Sequence, residues 1–306
     1  MIAFLLRRLG RLVLTLFLVS FVLFFTLRLM PGDPAIIMAG EDATPEVIAN
    51  LRTSMGLDQP LPAQYAYYLE NLLKGDLGTS IRSRQPVVEE IALRLPATLQ
   101  IVALAVCVAL FLGLLLGIIA AVSEGRWPDL TILFGALVGV SAPTFWIGLV
   151  LVLVFAVQLR LLPVAGYSGW TSNILPVASL VPLSLAVFSR LTRSTLLDVL
   201  GEDYIRTAMS KGVPRRTILW KHALRNALIP VITMAGLEFA RLLGGVIAVE
   251  YIFAWPGVGK GLVDAINARD YPMVQGVVIA FAVILSFANL LVDLLNGVID
   301  PRVRAY

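Results

Sequence analysis

Glu238 and Arg241 stand three residues apart inside the apolar run Leu228–Val249. At that spacing on a helix the two side chains share a face and can pair. An ionisable group inside a membrane span is costly when unpaired, and it normally faces a bundle interior or a water-filled cavity. Two chemistries fit: a polar lining for a translocation path, or a buried structural ion pair. Asn289 and Asp293, in the last apolar run, raise the same question.

Other residues look chemical and are not. Gly257-Val-Gly-Lys260 imitates a phosphate loop, but a Walker A motif needs Gly at 254 and Ser or Thr at 261, where this chain has Ala254 and Gly261. No Gly-x-Ser-x-Gly, His-Glu-x-x-His or paired-cysteine pattern occurs, so the chain carries no ATPase and no evident catalytic site. The single cysteine, Cys107, lies in an apolar run and excludes an internal disulfide. The single histidine, His222, has no partners for a metal site.

The longest polar interruption in the second half is Gly201–Thr233. It holds Arg206, Lys211, Arg215, Arg216, Lys221 and Arg225 against Glu202 and Asp203. Asp203 is placed to cap a short helix with Ile205, Ala208 and Met209 on one face. Gly212 is expected as the left-handed residue ending it. Pro214 can open a second helix running from Arg215 towards Ala227. By pattern, the stretch is either a simple positive-inside signal or a docking element.

The elements that position these residues follow from composition. Of 306 residues, 58% are hydrophobic and 14% charged, with a mean hydropathy of +0.88. That balance belongs to a polytopic membrane protein. Six apolar segments are long enough, or nearly so, to span: Leu12–Leu29, Leu99–Val122, Leu130–Val157, Ile174–Phe188, Leu228–Val249 and Val274–Leu295. The fourth is short, contains Pro176 and Pro182, and is expected to continue past Arg190 and Arg193 with those side chains snorkelling. The first span follows Arg7, Arg8 and Arg11 and lacks a small-residue cleavage site, so an uncleaved span is expected over a signal peptide.

With the N-terminus inside, fourteen of the 24 basic residues fall in inside regions, which places both termini and the 201–227 loop in the cytoplasm. Residues 31–95 then form an extracytoplasmic element. A helix should start at Thr44-Pro45-Glu46 and stop at Gly56. Another should cover Gln64–Lys74, with an aromatic face of Tyr65 and Tyr68 packing at the outer mouth. Glu89–Leu95 can lead into the second span through Pro96. Gly113 with Gly117, and Gly135 with Gly139, have the spacing of close helix contacts or of chance in a Gly-rich chain.

The order of local motifs resembles bacterial ABC importer permeases, and within them the dipeptide/oligopeptide/nickel group. The carrying residues are Pro31-Gly-Asp-Pro34, Gly56-Leu-Asp-Gln-Pro60, Gly75-Asp-Leu-Gly78, Leu95-Pro-Ala-Thr98, Asp203-Tyr-Ile-Arg-Thr-Ala208 with Lys211-Gly212, His222-Ala-Leu-Arg-Asn-Ala227 with Ile229-Pro230, Phe253-Ala-Trp-Pro-Gly-Val-Gly259, Arg269-Asp-Tyr-Pro272 and Asp300-Pro-Arg302. Arg206-Thr207-Ala208 with Gly212 matches the family's EAA-loop spacing, with Arg and Thr in its first two places. Pro230 falls further downstream than in the broad pattern.

The resemblance implies an all-α polytopic membrane protein with six transmembrane helices and the type I importer permease fold, one permease domain over 1–306. It implies a coupling helix in which Tyr204, Arg206, Thr207, Ala208, Lys211 and Gly212 meet an ATPase, with Glu238 and Arg241 as candidate path residues. The implied partners are a second homologous permease, two ABC ATPase subunits, an extracytoplasmic substrate-binding protein and the lipid bilayer of a bacterial inner membrane. No nucleic acid is expected. The chain itself would hold no cofactor; ATP and Mg would sit on the ATPases. The implied cargo is short peptides, with nickel or a metal chelate, glutathione or an opine-like compound as alternatives. A self-contained, ion-coupled transporter or channel using Glu238, Arg241 or Asp293 is the reading from a different class.

Overall fold

The computed structural model describes residues 2–29, 34–39, 43–54 and 56–299, with the side chains of 2–6, 34, 37–38, 54 and 293–299 left undescribed. Pro31-Gly-Asp33, Asp300-Pro-Arg302 and the side chain of Asp293 therefore lie outside the described residues. The helices are α1 (Ile2–Leu29), α2 (Pro34–Ala39), α3 (Pro45–Ser54), α4 (Leu61–Leu73), α5 (Val87–Val122), α6 (Trp127–Ser141), α7 (Thr144–Leu151) and α8 (Ile174–Leu200). They continue with α9 (Asp203–Ser210), α10 (Arg215–Thr217), α11 (Leu224–Ile252), α12 (Val258–Asn267) and α13 (Tyr271–Ile299). Wider π turns follow α7 at Val152–Gln158 and join α10 to α11 at Ile218–Ala223. No strand occurs among the described residues, only an isolated bridge between Thr79 and Pro86.

The chain divides into two compact units. Unit 1 comprises residues 1–97 and 256–286, and unit 2 comprises 98–255 and 287–306. Among the described residues, five helical runs are long and apolar enough to cross a membrane: Arg7–Leu29, Val87–Val122, Trp170–Leu200, Arg215–Ile252 and Tyr271–Val292. A backbone that satisfies its own hydrogen bonds is what such uniform apolar runs require in lipid.

The expected third span, Leu130–Val157, is not one helix. It breaks between Ser141 and Thr144, and its two arms are bent by 98°. Pro143 is the cause: it forces the preceding Ala142 into an extended conformation (φ −91°, ψ 128°). Each 15-residue arm is only about 22 Å long at 1.5 Å per residue. If the bent pair counts as one span, the total is six.

The other spans run longer than expected. Residues Glu89–Leu95 do continue through Pro96 as one helix, α5. The second helix of the basic loop runs on past Ala227 into span five, as expected, giving one helical run over Arg215–Ile252.

In unit 1, α4 lies on α1. Tyr65 is buried among Phe17, Phe21, Phe24 and Phe25, and its hydroxyl is 3.0 Å from Ser20 Oγ. The aromatic face predicted for Gln64–Lys74 thus packs on the first span. Its helix starts three residues earlier, at Leu61. Gly56 and Gly75 have positive φ at the ends of α3 and α4, as the sequence predicts. Asp270, in the turn before α13, is buried and accepts hydrogen bonds from Ser80 Oγ (2.5 Å) and from the backbone N–H groups of Ile81, Arg82 and Met273.

In unit 2, α8 is the central helix, packed by α6, α7 and α11. Leu180, Phe188 and Leu196 of α8 and Leu243, Val246 and Val249 of α11 are buried in this unit. Gly113 and Gly117 bring α5 against α8. A Cβ at Gly113 would collide with Phe188, and one at Gly117 would lie 2.5 Å from Thr192 Cβ. Of the second glycine pair only Gly139 makes a close approach, to the Pro182 carbonyl; Gly135 faces open space.

Candidate functional site

The short helix α9 is built from strongly segregated residues. Ile205 is fully buried, in a cluster with Ala121 from the end of α5, Leu196 from α8, Ile218 and Ala223 from the π turn, and Ala227 from α11. Ala208 packs partly into the same cluster. Burying one isoleucine is worth about 1.5–3 kcal/mol. That single anchor, supported by Ala208, therefore holds an eight-residue helix too short to be stable alone. Met209, predicted on the same face, is 46% exposed and lies outside the cluster.

The ends of α9 explain its length. Glu202, with extended backbone, is the N-cap, and Asp203 is the first helical residue; neither side chain makes a capping hydrogen bond. Asp203 is therefore one position inside its predicted place, where a carboxylate still favours the positive end of the helix dipole. At the other end Gly212 adopts φ +76°. Its N–H donates to the Met209 carbonyl (2.9 Å), and the Val213 N–H donates to the Ala208 carbonyl (3.2 Å). These two bonds are the Schellman termination, which needs a left-handed residue. Pro214 is the N-cap of the following helix, not its first residue.

Of the six predicted coupling residues, Tyr204, Arg206, Thr207, Lys211 and Gly212 are exposed, and Ala208 is half-buried. Thr207 Oγ1 donates back to the Asp203 carbonyl at 2.9 Å. Tyr204 has a partner that sequence reasoning missed: Asn226 donates to its hydroxyl at 2.8 Å. The bond joins residues 22 apart, and no local pattern announces it. The face offered outward is basic and polar, on a helix fixed from behind to the ends of three long helices.

Glu238 and Arg241 are brought together as predicted. The Arg241 guanidinium grips the carboxylate with Nη2 at 2.5 Å and Nε at 3.0 and 3.1 Å. Ser184 of α8 completes the group, donating to Glu238 Oε2 at 2.8 Å. The Glu238 side chain is 6% exposed and that of Arg241 40%. The carboxylate is thus inside the unit, and the cation reaches its surface. Asn289 is exposed and does not belong to this group.

Two further buried polar contacts were not predicted. Asp129, at the start of α6, receives Arg193 of α8 in a two-pronged pair at 2.5 and 2.7 Å, and also the Gly125 N–H at 2.9 Å. Arg193 does not snorkel, since its carboxylate partner is inside the unit; Arg190 is exposed. Glu250 is fully buried near the end of α11 and accepts the Thr98 hydroxyl at 2.6 Å. Both contacts join residues far apart in the chain, so only an acidic residue near a helix end could have hinted at them.

The Gly-Val-Gly-Lys fragment opens α12 as an ordinary helix. Gly257 has φ −95°, and Lys260 pairs with Asp264 at 2.6 Å. No phosphate-cradling turn is formed there. Among the described residues no group of three or more His, Cys, Asp or Glu side chains could hold a metal ion.

Known proteins share this organisation. Residues 113–305 match the family described as "Binding-protein-dependent transport system inner membrane component", and residues 1–102 match its N-terminal companion. The chain is 45% identical to the "Glutathione transport system permease protein GsiC" of Salmonella choleraesuis (strain SC-B67) over 304 residues, covering 99% of each chain. It is 44% identical to the protein of the same name from Escherichia coli (strain K12), with the same coverage. A crystal structure of an amino acid ABC transporter with histidines superposes with a TM-score of 0.55 at 16% identity, covering 68% of this chain and 92% of that one. That likeness bears on the fold, while the family matches and the full-length identity bear on descent. Together they establish that this chain belongs to the inner-membrane components of binding-protein-dependent transport systems, as a multi-pass ABC importer permease of the peptide branch.

Proposed function

We propose that this chain forms half of the translocation path of a bacterial importer for short peptides, with glutathione as the first cargo to test. The name shared by relatives 44–45% identical over the whole chain supports that cargo. A second, homologous permease supplies the other half, and an extracytoplasmic binding protein delivers the peptide. Two ABC ATPase subunits, carrying ATP and Mg, supply the energy. The whole of 1–306 acts as one permease domain, with both termini and the 201–227 loop in the cytoplasm and residues 31–95 outside.

The observation that carries this proposal is α9: a helix with Ile205 buried behind it and Tyr204, Arg206, Thr207 and Lys211 exposed in front. A rigid-body push on such a helix reaches α5, α8 and α11 through one apolar cluster. The exposed side chains, with Gly212 as the terminator, meet the ATPase. Ligand-driven movement requires contacts that differ between two states, and ATP binding changes the ATPase side of this contact. Glu238 and Arg241 line the polar part of the path.

Reconstituting the chain with its partners in liposomes and measuring uptake of labelled glutathione and of a dipeptide tests the proposal. Uptake that requires ATP and all subunits is expected. ATP-driven uptake of a nickel chelate or an opine, with neither peptide transported, would overturn the cargo. Ion-gradient-driven uptake by this chain alone would overturn the partners.

A further inference from the structure

The helix α9 is held at two points, and the two grips differ in kind. Ile205 enters an apolar cluster drawn from α5, α8, the π turn and α11, and such packing has no preferred direction. The second grip is a hydrogen bond: the Asn226 side-chain amide donates to the Tyr204 hydroxyl at 2.8 Å. It is directional, and it goes to α11 alone. Apolar burial keeps α9 in its place, and the bond sets how α9 is turned against α11.

Asn226 also stands at a weak point of its helix. Pro230 lies inside α11, one turn further on. A proline has no N–H, and its ring crowds the carbonyl of the residue four places before it. The Asn226 carbonyl is therefore denied its α-helical donor, and a helix bends most readily at such a place. On the other side of Asn226 the same helical run passes through the wider π turn at Ile218–Ala223, a form often found at functional sites. Beyond Pro230 come the path candidates. Glu238 is twelve residues past Asn226, about 18 Å along the axis at 1.5 Å per residue.

Tyr204 and Asn226 are both exposed, so water can replace their bond at small cost. A contact that differs between two states of a transport cycle has to be cheap to make and to break.

We propose that Asn226 is a positioning residue of energy coupling: through Tyr204 it fastens α9 to α11 just before the Pro230 joint. A displacement of α9 then tilts α11 about that joint instead of sliding α9 over its apolar seat. This rests on α9 being the contact with the ATPase, as proposed above. It adds the residue that passes the motion on and the place where α11 gives.

The test uses the assembled importer in liposomes, with ATP hydrolysis and uptake of radiolabelled glutathione and alanyl-alanine measured together. Asn226→Ala should hydrolyse ATP at the wild-type rate and consume about fivefold more of it per peptide moved, the factor set by one neutral hydrogen bond. Tyr204→Phe keeps the ring and loses the hydroxyl, so it should also uncouple. The double variant should be no worse than Tyr204→Phe alone, because both changes remove one bond. Melting in detergent should be unchanged in all three, which a purely structural role would not allow alongside uncoupling. Pro230→Ala returns a donor to the Asn226 carbonyl. It should melt no lower than the wild type and still have a lower maximal uptake rate.

Wild-type ATP use per peptide in Asn226→Ala, additive losses in the double variant, or wild-type uptake by Pro230→Ala would each overturn the proposal. Gly212→Val separates it from the reading beneath it. Normal coupling in Asn226→Ala beside uncoupling in Gly212→Val loses the positioning role and keeps α9 as the link; normal coupling in both loses both. If neither peptide is transported, stimulation of ATP hydrolysis by the binding protein is the readout. Asn226→Ala should then reduce that stimulation about fivefold, and full stimulation would overturn the role of Asn226.

Discussion

Among its described residues, unit 2 holds two ion pairs with a buried carboxylate, and they answer the same electrostatic problem in different ways. Asp129 and Arg193 come from different helices, 64 residues apart, and the Asp129 side chain is 2% exposed. Glu238 and Arg241 lie on one helix three residues apart, with the cation 40% exposed. The first pair ties α6 to α8 and, through the Gly125 N–H, fixes the turn leaving α5. The second pair can form in an isolated α11 and needs only Ser184 to join it to α8. The cross-helix pair ties two elements of the fold together, whereas the local pair, with its exposed cation, is the one compatible with the path role proposed above. The first also sits at the end of α8 that carries Leu196 and the cluster beneath α9.

Breaking each pair separates these roles. Arg193→Ala leaves Asp129 buried without its cation, a loss of about 3–5 kcal/mol in stability. Thermal unfolding in detergent should show a larger drop for it than for Glu238→Gln or Gly212→Val; an unchanged melting point would deny the pair its tying role. Glu238→Gln keeps the shape, replaces one of the two acceptor oxygens by a donor nitrogen, and strands a cation that can still reach the unit's surface. Its stability cost should be smaller, about 1–3 kcal/mol. Its main effect should be on uptake, measured against normal assembly and ATPase activity. A variant that assembles poorly but transports normally per assembled complex would make this pair structural too.

The smallest stability effect is expected at Gly212. Nothing lies within 4 Å of a Cβ built there, so Gly212→Val meets no clash and costs only the left-handed conformation, about 1–2 kcal/mol. ATP hydrolysis should continue while uptake falls, because α9 loses its fixed end. Coupled transport at the wild-type ratio of peptide to ATP would remove α9 as the link.

The Glu238–Arg241 pair, the Gly212 stop and Ile205 as the buried face of α9 could be seen in advance, because they are local features set by spacing on one helix. The Asp129–Arg193 pair, the Tyr204–Asn226 bond and the Thr98–Glu250 contact could not, because each depends on which distant helices become neighbours. Met209 is an intermediate case: it lies one turn from Ile205 on α9, yet it falls outside the cluster, whose extent is set by the neighbouring helices. Gly135 has the spacing of a close helix contact, yet nothing lies within 4 Å of a Cβ built there.

The amino-acid sequence by itself determined the membrane-spanning class, all of the span positions but the third, and the short terminated helix in the basic loop. Apolar run length, proline and glycine act within a few residues, so their effects are written locally. Only the tertiary structure decided that Pro143 splits the third span by 98°, that Arg193 turns inward to Asp129, and that Tyr65 of α4 packs among the aromatic rings of α1. Each of these depends on what packs opposite, and in a helical membrane protein the opposing surface comes from another part of the chain.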